Sequence, residues 1–309
     1  MDHCTTTKEP LGNRLYRYEI KDNKLVNPKL LLDLPVSPGP RENSGVITIG
    51  PDKNVYLAVG DVSGYHDKKL TKAQNYENGT EPDGRAGILR VTQDGKLVGK
   101  GILGDTYPLD LYFAYGIRNS FGMDFDPVTG NLWNTENGPA FGDEINLVEP
   151  GFNSGWNKIQ GIWKVNEFWK PDPDGNKKGE HQLHVDSNLV DFNGRGKYSA
   201  PEFVWDSTAG PTTLIFFSSD KYGKEYENDM FVADINGRIY HFDLNEDRTG
   251  LVLKGSLEDK VGNTSDIELQ RSMFGNDFGI ITDLQIGPDG YLYVLCFTGG
   301  TIFRIAPDI

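Results

Sequence analysis

Residues 115–156, YGIRNSFGMDFDPVTGNLWNTENGPAFGDEINLVEPGFNSGW, hold the side chains best placed to do chemistry. Arg118 and Asn119 set a cation beside an amide, Gly138 and Pro139 form a backbone corner, and Asp143 and Glu144 lead into an apolar strand. A guanidinium carries a permanent charge and a planar fork of donors, suited to a carboxylate or a substrate oxygen. An acidic pair near loop carbonyls offers the oxygen ligands that a hard cation such as calcium takes. Each feature also has a structural reading. Arg118 could bridge strands through Asp124 or Glu136, and Asp143-Glu144 could cap a surface turn.

Other chemistry finds less support. His181-x-x-His184 has the spacing of a metal pair, but it lies in an irregular stretch with no nearby Cys or clear third ligand. His3, His66 and His241 belong to no motif. No Gly-x-Gly-x-x-Gly follows a strand to open a helix, so nicotinamide binding has no basis. No Gly-x-Ser-x-Gly elbow exists to present a nucleophile. Cys4 and Cys296 read as two unpaired thiols. Two sequons, Asn78-Gly79-Thr80 and Asn263-Thr264-Ser265, matter only in a glycosylating secretory route.

The elements that must position these residues are strands. Apolar alternation joined by Pro-Asp, Asp-Pro or Asn-Gly turns recurs in Ile47–Leu57, Met123–Trp133, Asp229–Tyr240 and Leu284–Val294, and such turns between alternating runs signal hairpins. A short strand carrying an Arg recurs as well, in Leu15-Tyr16-Arg17-Tyr18, Ile88-Leu89-Arg90-Val91 and Ile302-Phe303-Arg304-Ile305. Helical periodicity is nearly absent. Hairpins repeated with intervening strands predict an all-β fold of radial blades, about 40–50 residues each, rather than a sandwich. Residues 164–197 break the repeat and read as an irregular insertion between blades; residues 65–83 form a second long polar loop.

Composition narrows the function classes. The 37 glycines and 17 prolines among 309 residues suit a chain of many tight turns, and the aromatic content argues against disorder. A net charge of −14 repels phosphate backbones, so nucleic acid is an unsuitable partner. The acidity suits solubility or ligation of hard cations. No 18-residue apolar run predicts a membrane span. The opening MDHCTTTKEPLGNR lacks the apolar core of a signal peptide.

Gly116-Ile117-Arg118-Asn119, Glu136-Asn137-Gly138-Pro139, Asp143-Glu144-Ile145-Asn146-Leu147 and Asn153-Ser154-Gly155-Trp156 stand in one order with characteristic spacing. Together with the Gly-Pro-Asp hairpins, this pattern resembles the soluble glucose/sorbosone dehydrogenase family, which includes pyrroloquinoline-quinone-dependent aldose sugar dehydrogenases. The resemblance runs over roughly residues 11–307. It implies a six-bladed β-propeller, residues 1–309 forming one domain, with cofactor and calcium where the strand-end loops converge. Family members carry a further blade or more before the position of Leu11, so a truncated reading frame is expected, with which a signal peptide could have been lost; the alternative is a genuinely shorter propeller. An extracellular or periplasmic location is implied in the same way.

The resemblance also assigns roles. Arg118 and Asn119 match a pair that lies against quinone and substrate. Gly138 and Pro139 match the corner whose carbonyls bind the cofactor-side calcium, and Asp143 and Glu144 match an acidic pair linked to a structural calcium. Glu42 stands at the position of the family's catalytic base, a His. A carboxylate is a weak base at neutral pH, so Glu42 needs burial to serve; otherwise it is a loop carboxylate bound to water or Arg41. Phe121 replaces a Gln, Ile235-Asn236-Gly237 replaces a Lys-Gly, and Gly279–Asp283 lacks two Arg. Two functions follow. One is oxidation of an aldose or polyol with quinone and calcium, Glu42 acting as base. The other is a non-catalytic, calcium-stabilised propeller that binds carbohydrate or protein on the same face.

Overall fold

The computed structural model describes residues 12–35, 42–62, 70–166, 188–263 and 267–307. His3, Cys4, Arg41, His66, the His181–His184 pair and most of 164–197 lie outside these residues. Among the described residues the regular structure is strand and short 3₁₀ turn, with no α-helix. The all-β expectation holds. No helix there is long and apolar enough to cross a membrane. The chain divides into two compact units. One contains Met1–Asn119, Pro150–Lys158 and Ser187–Ser199; the other contains Ser120–Glu149, Ile159–Asp186 and Ala200–Ile309.

In the first unit, Ser44–Ile49, Val55–Val59, Gly87–Val91 and Tyr112–Tyr115 pair in sequence order as an antiparallel meander. Phe152–Asn153 joins its last strand in parallel, and Lys197–Tyr198 follows beyond. A hairpin of Asn13–Lys21 and Lys24–Leu34 packs Leu15, Leu32 and Leu34 into a core with Leu57, Leu89, Val91 and Tyr112. Its outward face is clamped by charge: Asp94 accepts from Arg17 at 2.7 Å and from Lys29 at 3.1 Å.

The second unit repeats the plan. Met123–Phe125, Leu132–Glu136, Asp143–Val148 and Phe203–Trp205 form a meander, with Val261–Gly262 parallel on its edge. Pro211–Phe216, Met230–Asp234, Ile239–Phe242 and Met273–Gly275 form another. Ile281–Ile286, Leu292–Cys296 and Thr301–Arg304 form a third, of three strands. Trp133, Phe203, Trp205, Leu214, Val232 and Tyr240 fill the core between the first two sheets. Phe217, Phe231, Ile281, Leu284 and Val294 fill that between the last two. Cys296 is a buried free thiol, and burial pushes its pKa up.

The recurring hairpins share one device. Each turn Asp folds back onto its own turn and accepts hydrogen bonds from it. Asp52 takes the Asn54 N–H and the Tyr56 hydroxyl, both at 3.0 Å. Asp234 takes the N–H of Asn236 and Arg238, both at 2.9 Å, and the Tyr240 hydroxyl at 3.1 Å. Asp289 takes the Tyr293 hydroxyl at 3.1 Å and Arg304 at 2.7 Å. The Arg of the recurring short strand thus has a job in the last sheet: it ties the third strand to the turn of the preceding hairpin.

Asp126 is a fourth such pin, buried at 1% exposed. It accepts from the Val128 N–H (3.0 Å), Thr129 Oγ1 (2.7 Å) and Arg248 Nε (2.7 Å), and Arg248 also donates to the Asn228 carbonyl. Burial pushes the carboxyl up, but the bonds from Arg248, Thr129 and Val128 prevail and hold it below its ordinary value. Its contribution to stability is therefore complete above the ordinary carboxylate range and lost as pH falls through the lowered folded value. Asp126→Asn is expected to lower stability at pH 7 by about 2–4 kcal/mol. Denaturant titrations at pH 7 and pH 3 check this, the gap from wild type narrowing at the lower pH.

Candidate functional site

The sequence-predicted residues fall into two clusters, one in each unit. Glu42, Arg118 and Asn119 belong to the first unit; Gly138, Pro139, Asp143 and Glu144 belong to the second.

In the first unit the loops that carry Glu42 and Arg118 are clipped to the end of Val55–Val59. The Val62 N–H donates to the Glu42 carbonyl at 2.9 Å, and the Asp61 N–H donates to the Arg118 carbonyl at 2.8 Å. Gly60 makes this approach possible. A Cβ there would lie 2.1 Å from the Glu42 carbonyl oxygen and 3.0 Å from that of Arg118. Held in this way, Arg118 Nη2 donates to Glu42 Oε1 at 2.7 Å, with both side chains mostly buried. The guanidinium carbon lies 5.4 Å from the Trp156 ring centroid, within cation–π range. Trp156 Nε1 in turn donates to Asp61 Oδ2 at 2.8 Å. Asn119 Oδ1 accepts from the Ser44 N–H at 3.2 Å and Ser44 Oγ at 3.1 Å, which fastens Arg118's neighbour to the strand behind Glu42.

Glu42 therefore meets a fixed cation across 76 residues of sequence. The guanidinium neutralises the carboxylate, so a substrate hydroxyl could give its proton to Glu42 only against this pairing. The pair can, however, grip neutral hydroxyls: the carboxylate accepts and the guanidinium donates. Asp124, a candidate bridge for Arg118 by sequence, accepts the N–H of Phe125 (2.8 Å) and Phe216 (3.0 Å). Sequence reading assigned nothing to Asp61, although an acidic residue following a Gly at a strand end was a legible signal. Trp156 belongs to the Asn153–Trp156 motif, which by itself assigns it no role.

In the second unit, Gly138 is sterically required, because a Cβ would sit 1.9 Å from the Phe141 carbonyl oxygen. Its N–H donates to Asp143 Oδ1 at 2.7 Å, while Asp143 Oδ2 accepts the N–H of Ala209 at 2.8 Å and Gly210 at 2.7 Å. Asp143 thus pins two loops. Glu144, 1% exposed, accepts from Gln160 Nε2 (3.0 Å) and the Gly161 N–H through Oε1, and from Asn146 Nδ2 (3.0 Å) through Oε2. Beside it, the buried amide oxygens Asn146 Oδ1 and Gln160 Oε1 have no hydrogen-bond partner among the described residues.

Calcium fits these residues unequally. Both oxygens of Asp143 are engaged by backbone N–H groups, which suits a structural carboxylate. Glu144 has two buried, unsatisfied amide oxygens at its side, and neutral oxygens next to a carboxylate are donors that calcium accepts. The substituted anchor positions are partly open and carry no cation. Phe121, Ile235 and Ile280 are 42%, 43% and 41% exposed. Asn236 spends its amide on the Ala209 carbonyl at 2.9 Å.

A model of the Glucose / Sorbosone dehydrogenase family matches residues 3–304. The chain is 29% identical over 196 residues to the aldose sugar dehydrogenase YliI of Escherichia coli (strain K12), a match covering 63% of this chain and 43% of that protein. It is 32% identical over 163 residues to quinoprotein glucose dehydrogenase B of Acinetobacter calcoaceticus, covering 48% of this chain and 32% of that one. The chain thus spans less than half the length of either relative. The PQQ-bound aldose sugar dehydrogenase of Streptomyces coelicolor shares the fold, with a TM-score of 0.60 at 18% identity over 95% of this chain and 70% of that one. With a family match extending over nearly its whole length, this chain belongs to the glucose/sorbosone dehydrogenase family.

Proposed function

We propose that this chain recognises an aldose or polyol through Glu42, Arg118 and Asn119, on a six-bladed β-propeller whose single domain takes in residues 1–309, with 164–197 as an insertion between blades. The succession of up-and-down sheets and the shared fold support the architecture. The 2.7 Å Glu42–Arg118 pair, backed by Trp156 and Asp61, carries the binding role. It offers an acceptor and a planar donor fork side by side, which is what vicinal hydroxyls need. A secreted or periplasmic location accords with this reading.

Pyrroloquinoline quinone is a polycarboxylate, and enclosing it without paired cations is costly. Of the expected anchor positions only Arg118 is a cation, and Glu42 meets its charge. Phe121, Ile235-Asn236 and Ile280–Thr282 present apolar or neutral groups. These residues do not fit the quinone. The second reading is oxidation of the sugar with quinone and calcium, Glu42 serving as base while Arg118 and Asn119 orient the substrate. What favours it is the assembly of these three residues in one place, together with a PQQ-bound neighbour of the same fold.

Calorimetric titration of the full-length protein with a panel of aldoses and polyols separates the two. The first reading expects binding of at least one sugar, weakened about tenfold or more by Glu42→Gln or Arg118→Ala. It also expects no quinone absorbance after loading with calcium and pyrroloquinoline quinone and desalting. Dye reduction with an aldose, abolished by Glu42→Gln, would establish the second reading and overturn the first. Calcium is assigned to Glu144, with Asn146 and Gln160 supplying amide oxygens. Saturating calcium is then expected to raise the melting temperature, the gain being about 2.7 kcal/mol at a hundredfold excess over Kd. Glu144→Gln removes that increment, whereas Asp143→Asn lowers the melting temperature with or without calcium. Differential scanning calorimetry with added calcium or EGTA checks both.

A further inference from the structure

We propose a divalent transition-metal site at Asp229, His241 and Asp243, at the end of the second unit's middle sheet remote from Ile235. The strand register builds it. Met230 pairs with Phe242 and Phe231 with His241, so one further step sets Asp229 opposite Asp243. The backbone is held there on both sides: the Phe217 N–H donates to the Asp229 carbonyl, and the Val252 N–H to that of Asp243, each at 2.9 Å. Two carboxylates directly across a strand pair repel and destabilise the pairing unless a positive charge joins them. Among the described residues, the only basic group within ion-pair distance of either carboxylate is His241.

His241 lies on the same strand face as Asp243 and points its ring nitrogen between the two carboxylates. Nε2 is 2.9 Å from Asp229 Oδ2 and 3.6 Å from Asp243 Oδ1, and one ligand atom from each residue lies within 4.8 Å of the others. The imidazole is held by packing. The Tyr226 ring centroid is 4.9 Å away and that of Phe231 5.1 Å, with Phe274 against both of those rings. Two anionic oxygens and one imidazole nitrogen form a set for zinc or a neighbouring first-row ion; calcium takes all-oxygen shells. Tetrahedral zinc with bonds of about 2.0–2.1 Å separates its ligand atoms by about 3.3 Å, between the two spacings found here. Asp243, half exposed, leaves an entry path and room for water to complete the shell.

Zinc added to the metal-stripped full chain at pH 7.5 tests this, by calorimetry and by metal analysis after desalting. One equivalent is expected to bind and to raise the melting temperature. Asp243→Asn and His241→Gln are each expected to weaken uptake about tenfold or more, while Glu144→Gln leaves it unchanged. Asp243 is the more exposed ligand, so its variant decides the outcome if His241→Gln fails to fold. No uptake by the wild type, or uptake unchanged in Asp243→Asn, would overturn the assignment.

Discussion

A chain built from strands and tight turns must satisfy turn backbone groups without helices to absorb them. In this protein carboxylates do much of that work, and the other features rest on it. Asp52, Asp126, Asp234 and Asp289 each accept N–H groups or hydroxyls from their own turns, and Asp143 does the same for two separate loops. The net charge of −14 is therefore partly structural. Many of these acids are neither solubilising surface nor ligands, because their lone pairs are spent on backbone donors.

The same accounting sorts the candidate site. Asp143 and Glu144 are neighbours in one strand, so their side chains leave on opposite faces. Asp143 meets the N–H groups of Gly138, Ala209 and Gly210 and becomes a pin. Glu144 meets the side-chain amides of Asn146 and Gln160, whose oxygens have no partner among the described residues. Burial raises the cost of any unpaired group on either face. That cost is why the leftover oxygens of Asn146 and Gln160 are informative.

Electrostatic pairing also decides what Glu42 can do. A carboxylate that faces Arg118 is neutralised, and Arg118 is itself stacked on an indole whose N–H is held by buried Asp61. Charge pairing of this kind opposes proton uptake by the carboxylate.

Much of this was legible in the sequence. Period-two alternation around Pro-Asp and Asn-Gly turns predicts the hairpins, because those turn residues adopt the required backbone and the alternation buries one face. The Arg118–Asn119 and Gly138–Pro139 motifs indicate the family, and the family model bears that out. The tertiary structure alone decided the partnerships. Glu42 and Arg118 meet only because Gly60 admits both loops to one strand end, a contact that spans 76 residues. Asp229, His241 and Asp243 converge only through strand register, which local sequence does not encode. Composition and spacing fix which groups a chain possesses; long-range pairing fixes which of them are already spent on one another.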